Sequence, residues 1–128
     1  MFNHVTLGSN DIARSKAFYD ATLAALGVPA AIQDAKGRLF YLHDGGMLMI
    51  TTPLDGQPAT PSNGFTLGFK AATPEQAAAW HKAGVENGGT AIENPPGVRP
   101  LPTGDLYLAY LKDPDGNKLC AVHKMPPA

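Results

Sequence analysis

The side chains that could take part in catalysis or bind a metal are few in this sequence. There are four histidines, His4, His43, His81 and His123, and one cysteine, Cys120. An imidazole can act as a general base or a metal ligand, and a thiol becomes a nucleophile once a nearby cation or helix N-terminus lowers its pKa. Nothing in the sequence assures such a lowering for Cys120, so we expect a small buried packing residue at that position.

Arg99 is the only charged residue in the segment 94–104, which contains four prolines and is therefore expected to be a stiff loop. A guanidinium in such a loop could hold an anionic group through two parallel hydrogen bonds. The alternative is a solvated arginine that binds no ligand. Both interpretations fit the sequence, and Arg99 is kept among the candidate ligand-binding residues.

The composition indicates a globular chain that does not bind nucleic acid. Of its 128 residues, 44% are hydrophobic and 16% charged, and ten Lys and Arg against eleven Asp and Glu give a formal charge of -1. No basic stripe could follow a phosphate backbone. No apolar stretch approaches the roughly 20 residues of a membrane span, and the N-terminus lacks the pattern of a signal peptide. We therefore expect a cytoplasmic protein with one domain over residues 1–128.

The positions of the candidate residues depend on the predicted elements. Residues 3–8 alternate as a strand, and Asp11 with its polar neighbours predicts the start of a helix that ends near Gly27. Three further strands are predicted, at 30–34, 39–43 and 47–52. These elements form a first module over about residues 1–52.

The same order of elements returns after a proline-containing connector at 53–63. The second module, over about 64–125, begins with a predicted strand at 65–70. The run Thr73-Pro74-Glu75-Gln76 then predicts a helix start through its capping box, and this helix is expected to run to Gly88-Gly89. Strands follow at about 90–93, 105–112 and 117–123. The predicted fold class is α+β, with two βαβββ modules whose sheet encloses a cleft and whose chains pair as a homodimer.

Two stretches of sequence carry a resemblance to a known family. They are His4-Val5-Thr6-Leu7, followed by Asp11 and Phe18-Tyr19, and Asp113-Pro114-Asp115-Gly116-Asn117-Lys118 before the last strand. With them the chain resembles, over nearly its whole length, the vicinal oxygen chelate superfamily of glyoxalase I, extradiol dioxygenases and bleomycin-resistance proteins. It is similar to a bacterial glyoxalase-like subgroup in Gly88-Gly89, Arg99-Pro100 and the run from Lys118 to Val122.

The resemblance implies four metal ligands, a histidine on the leading strand of each module and a carboxylate on a later strand of each. His4 matches the first of these positions. Thr66, Met49 and Cys120 stand at the other three, where they replace a histidine and two carboxylates. Such a set is too weak for a stable Mg, Mn, Ni or Fe site, although a remnant of imidazole and thiolate could hold Zn or Cu. We therefore expect no metal and no cofactor.

The resulting hypothesis is a small-molecule-binding protein whose cleft is lined by His4, Met49, Thr66 and Cys120. Arg99 and Tyr107 are added as candidates. Tyr107 and Tyr110 lie on opposite faces of one predicted strand, so at most one of them reaches the cleft. The family's resistance proteins, which sequester drugs without a metal, provide the analogy.

Two alternatives stay open, and no residue is assigned a catalytic role. The first is a divalent-metal-dependent lyase, isomerase or dioxygenase related to glyoxalase I, with ligands recruited from positions such as Asp105 or His43. The second is a non-catalytic dimeric scaffold whose cleft is filled by its own side chains.

Overall fold

Two mixed sheets, each with one helix that follows its first strand along the chain, make up the architecture of the computed structural model, which describes residues 1–127. The predicted α+β class is confirmed. The first half contains β1 (His4–Gly8), α1 (Ile12–Ala24), β2 (Ile32–Gln33), β3 (Leu39–His43) and β4 (Gly46–Thr51). The second contains β5 (Leu67–Lys70), α2 (Pro74–Glu86), β6 (Thr90–Ala91), β7 (Gly97–Arg99), β8 (Leu106–Lys112) and β9 (Lys118–Lys124).

Both helices begin where the sequence predicts them to begin. The Asp11 carboxylate accepts a hydrogen bond from the backbone N–H of Arg14, and the Thr73 hydroxyl accepts one from the N–H of Gln76. These side chains satisfy N–H groups that have no partner within the first helical turn. The helices end a few residues earlier than predicted, at Ala24 and Glu86.

The extra strand β7 lies within the proline-containing segment that the sequence predicted as a loop. Val98 pairs with Tyr107, and Gly97 and Arg99 pair with the neighbouring residues of β8 in an antiparallel register. The prediction of a stiff loop is therefore wrong for residues 97–99, which form a strand. A proline lacks an N–H group, but a strand at the edge of a sheet tolerates prolines in its flanking residues.

The strand order is β1-β4-β3-β2 in the first sheet and β5-β9-β8-β6 in the second, where β7 also pairs with β8. In each sheet the leading strand runs parallel to the last strand of its module. Within residues 1–127 no strand of one sheet pairs with a strand of the other. A single hydrophobic cluster on the helix-facing sides joins the modules. The two sheets are therefore connected through the helices and the core rather than through backbone pairing.

Helix α2 approaches the second sheet very closely at Gly84. A Cβ atom at this position would overlap with Leu111 Cδ1 and would lie 3.3 Å from Phe18 Cε2. Glycine at this position therefore lets α2 come close to both side chains, and Phe18 and Leu111 are fully buried. No helix of the described residues is long and apolar enough to cross a membrane.

Candidate functional site

The face of the first sheet that points away from the helices is apolar and uncovered. Strand pairing places His4 beside Met47, and Thr6 beside Met49. Alternation along β3 adds Phe40 and Leu42 to the same face, since they pair with Met49 and Met47. Leu42 has 51% of its surface exposed and His4 is exposed as well. We call this surface the first open face; its only imidazole is His4, whose Nδ1 lies 2.8 Å from Asn3 Oδ1.

The corresponding face of the second sheet carries more polar chemistry. Cys120 pairs with Gly68 on one side and Tyr110 on the other, so all three share this second open face. The ammonium of Lys118 lies 5.0 Å from the centre of the Tyr110 ring and 2.5 Å from the Glu93 carboxylate. The face therefore presents an aromatic ring with a neutralised ion pair beside a thiol.

The thiol of Cys120 is a poor nucleophile in this setting. Burial raises its pKa, the nearby Glu93 carboxylate raises it further, and the Lys118 ammonium lowers it in part. Because the thiolate is the reactive form, the raised pKa keeps Cys120 protonated near neutral pH. The expectation of a small buried packing residue agrees with its 7% exposure.

Tyr107 lies on the side of β8 opposite to Cys120. It packs against the hydrophobic cluster together with Ala109 and Leu111 and pairs with His123. Tyr110 occupies the place on the open face that the sequence assigned to Tyr107. The two tyrosines are three residues apart, and only the register of β8 against β9 decides which of them reaches this face.

Arg99 is engaged by its own loop. Its Nη1 donates a hydrogen bond to the carbonyl of Gly97, and its Nη2 donates to the carbonyls of Asn94 and Pro95, at 2.9 to 3.0 Å. These bonds use both N–H groups of Nη2. The guanidinium thus holds the segment before β7 in its observed conformation.

A separate cavity of about 530 Å³ lies between the two modules on their helix-facing side. Its walls come from the end of α1, from β1, β3 and β4 of the first sheet, and from β5 with the start of α2. The lining is mainly aliphatic and aromatic, and it includes Leu23, Leu26, Leu48, Leu67 and Phe69. None of the six candidate ligand-binding residues lines it. No motif marked this space, because it arises from contacts between modules that are distant in sequence.

Comparison with known proteins shows the family to which this chain belongs. A family model described as the Glyoxalase/Bleomycin resistance protein/Dioxygenase superfamily matches residues 1–121. This chain belongs to that superfamily. The resemblance seen in the sequence is therefore confirmed.

Solved structures of the superfamily agree with this assignment. A glyoxalase/bleomycin resistance protein from Albidiferax ferrireducens T118 is 55% identical, with a TM-score of 0.94 over 97% of this chain and 99% of that one. A glyoxalase-related enzyme from Fulvimarina pelagi is 21% identical, with a TM-score of 0.72 over 97% and 88% of the two chains. A superfamily enzyme from Burkholderia phytofirmans PsJN is 17% identical, with a TM-score of 0.72 over 96% and 98%. The last two show the fold alone, and no curated protein matches the chain.

The metal site implied by the glyoxalase superfamily does not fit the donors of this chain. Within residues 1–127 no three His, Cys, Asp or Glu side chains are grouped closely enough to hold an ion. His4 and Met49 lie on the first open face, Cys120 lies on the second, and Thr66 is an exposed residue just before β5. Imidazole, thioether, hydroxyl and a protonated thiol form a poor set for hard divalent ions.

The residues suggested as substitute metal ligands, His43 and Asp105, do not complete a metal site. His43 Nε2 lies 3.3 Å from the carboxylate of its neighbour Asp44 at the mouth of the cavity, and Asp105 is exposed just before β8. Neither belongs to a group of three donors within the described residues.

Proposed function

We propose that this chain is a cytoplasmic, metal-independent small-molecule-binding protein that works as a homodimer. The observation that carries the proposal is the chemistry of the two open faces. The first offers the imidazole of His4. The second offers the protonated thiol of Cys120, near which the Glu93 carboxylate is bonded to Lys118. A carboxylate already neutralised by an ammonium is a weak partner for a cation.

The homodimer is proposed because the candidate ligand-binding residues are divided between two sheets. Ile32 and Leu42 expose 61% and 51% of their surface at the first open face, which is a large apolar exposure for one strand pair. If the first open face of one chain covers the second open face of its partner, the two enclose a hollow. His4 and Met49 then come from one chain, and Tyr110 and Cys120 come from the other.

The hollow would suit a small and mostly apolar molecule with a few hydrogen-bonding groups. Its walls would consist of thioether, aliphatic and aromatic side chains, with an imidazole and an ammonium as the polar contacts. This mixture is typical of ligand sites in proteins. Arg99 and Thr66 would stand at its margin.

Thermal unfolding of the untagged dimer tests the proposal. We expect the melting temperature to be unchanged by EDTA and by Mg²⁺, Mn²⁺, Ni²⁺ or Zn²⁺, while at least one member of a panel of aromatic metabolites and antibiotics raises it. A ligand present at 100 times its dissociation constant should add about 2.7 kcal/mol to the free energy of unfolding. Stabilisation by a divalent ion that disappears in His4→Ala would instead support a metal-dependent enzyme.

A matched pair of variants localises the ligand. Thr6→Trp places a large ring on the first open face beside Met49 and should abolish the stabilisation by the ligand. Thr52→Trp makes the same change at an exposed residue beyond the end of β4 and should leave the stabilisation unchanged. If no compound stabilises the protein in EDTA, the scaffold alternative is favoured.

A further inference from the structure

The two modules meet at two corners that are equivalent in the fold but different in content. At one corner the turn between β8 and β9, residues 113–117, faces the start of α1. At the other, the turn between β3 and β4, residues 43–46, faces the start of α2 across the cavity. We call them the closed corner and the vacant corner.

The closed corner is sealed by hydrogen bonds from the turn to the helix. Asp115 Oδ1 accepts from the backbone N–H of Asn10 and from the Arg14 guanidinium, both at 2.9 Å. Asp113 Oδ2 accepts from the Tyr19 hydroxyl at 2.5 Å, and this tyrosine is 1% exposed. The space between turn and helix is therefore filled by protein atoms.

At the vacant corner no hydrogen bond within residues 1–127 joins the turn to α2. The turn contains Asp44, Gly45 and Gly46, whose small or outward side chains do not reach the helix; the Asp44 side chain is 88% exposed. The result is the cavity of about 530 Å³. Its volume lies within the roughly 300 to 1,000 Å³ of ordinary ligand sites.

The interior of this cavity is suited to an apolar ligand. Its walls are formed by Val5, Leu23, Leu48 and Phe69 together with neighbouring aliphatic side chains. The hydroxyl of Tyr41, which also lines it, already donates a hydrogen bond to Asp20 at 2.8 Å. An apolar group inside the cavity would thus bury hydrophobic surface without leaving this donor unpaired.

The mouth of the cavity offers hydrogen-bond donors. Lys70 borders it and makes no ion pair with any side chain of residues 1–127. Gln76 accepts the N–H of Ala72 through its Oε1 atom at 2.8 Å, which leaves its amide N–H groups for another partner. The Asp44 carboxylate lies 3.3 Å from His43 and is balanced by it when that imidazole is protonated.

We propose that the vacant corner is a second binding site, for a medium-sized aliphatic or aromatic carboxylate. The apolar part of the ligand fills the cavity, and its carboxylate lies at the mouth beside Lys70 and Gln76. None of the six candidate ligand-binding residues lines this cavity, although Met47 of the first open face borders it. Binding at the vacant corner can therefore be tested separately from the function proposed for the open faces.

Decanoate is a suitable probe, with 1-decanol and decyltrimethylammonium as head-group controls. The single tryptophan, Trp80, packs against Phe69 with 6.2 Å between ring centres, so its fluorescence should report occupation of the cavity. We expect saturable binding of decanoate, with decyltrimethylammonium at least about tenfold weaker because it lacks a charge-assisted hydrogen bond. Amide NMR shifts should change at Leu26, Leu48 and Gln76 and not at Tyr110 or Cys120.

Two pairs of variants separate the cavity from its surroundings. Val28→Phe fills the cavity from the segment that follows α1 and should weaken decanoate binding at least about tenfold. Val98→Phe, at a position 47% exposed and outside the lining, should not. Ala72→Phe at the mouth is the substitute if Val28→Phe does not fold. Lys70→Met should weaken decanoate about fivefold and leave 1-decanol unchanged.

Several results would overturn the proposal. They are the absence of saturable binding, NMR shifts confined to the open faces, and equal losses in Val28→Phe and Val98→Phe. A change from dimer to monomer in Val28→Phe, measured by sedimentation, would likewise overturn it, since a second copy of the chain would then occupy the cavity.

Discussion

The closed and vacant corners have the same arrangement of turn and helix, but one is filled by hydrogen-bonded side chains and the other contains a cavity. At the closed corner, Asp113 is 4% exposed and its carboxylate accepts hydrogen bonds from Tyr19, Asn117 and the backbone of the turn. At the vacant corner, the turn residue Asp44 points into solvent and the space behind it stays open. The comparison indicates that a few turn residues decide whether a repeated junction contributes stability or leaves room for a ligand.

The strongest test of this contrast removes one carboxylate from each turn. Asp113→Ala should lower the free energy of unfolding by about 3 to 5 kcal/mol, because it leaves several buried donors without an acceptor. Asp44→Gly should change it by less than about 0.5 kcal/mol, since Asp44 is exposed and its φ of 48° suits glycine. Urea unfolding measures both values, and equal losses would contradict the contrast.

Removal of one hydroxyl from each corner sharpens the comparison. Tyr19→Phe should cost about 1 to 3 kcal/mol, because the almost fully buried Asp113 loses a donor. Tyr41→Phe should cost about 1 kcal/mol or less, because Asp20 keeps its bonds to Lys16 and to the N–H of Ala31. Thermal unfolding of the two variants under one buffer condition gives the difference, and a larger loss in Tyr41→Phe would oppose this ranking.

The two tyrosines also predict an alkaline loss of stability. Burial, followed by the charge of Asp113, raises the pKa of Tyr19 well above its ordinary value of 10.0, and burial with the hydrogen bond to Asp20 raises the pKa of Tyr41. The stability that these two hydroxyls contribute is fully present below the tyrosine pKa of the unfolded chain. It declines above that pKa, because there the unfolded chain ionises while the folded protein does not. Each tyrosine should add up to about 1.4 kcal/mol per pH unit to the decline.

Unfolding measured from about pH 9 to about pH 12 checks this prediction. Tyr19→Phe and Tyr41→Phe should each show a shallower decline than the original protein. The same slope in all three proteins would mean that these hydroxyls ionise equally in both states.

The smallest expected effect on stability concerns Asp20, which accepts a hydrogen bond from the cavity-lining Tyr41. Burial raises the pKa of its carboxyl, but hydrogen bonds from Lys16, the N–H of Ala31 and Tyr41 outweigh it and lower the pKa overall. The stabilisation is therefore present above the ordinary value of 3.8 and is lost as the pH falls through the folded pKa. Lys16→Met should cost about 0.5 kcal/mol at pH 7, with a smaller difference at acidic pH. A cost that grows on acidification would contradict this sign.

Local features of the fold could be predicted from the sequence, whereas features set by distant contacts could not. The helix starts at Asp11 and Thr73 were predictable because each depends on a side chain and an N–H group three residues away. Strand β7 was missed because its order comes from pairing with β8. A stretch of four prolines does not reveal such a partner.

The candidate site shows the same division. His4 and Cys120 were identifiable as scarce chemical groups, but their location on separate sheets follows from the topology. The choice between Tyr107 and Tyr110 depends on a register that alternation alone leaves undecided. The cavity could not be predicted at all, since it is formed where the end of α1, the β3–β4 turn and the start of α2 come together.

The central claim is that this member of the glyoxalase superfamily binds its ligand without a metal ion, and the metal content of the protein tests it most directly. The untagged dimer should be purified without chelators and analysed for Mg, Mn, Fe, Ni, Cu and Zn. We expect less than about 0.1 ion per chain, and no difference between the original protein and His4→Ala. About one ion per chain that is lost in His4→Ala would contradict the account.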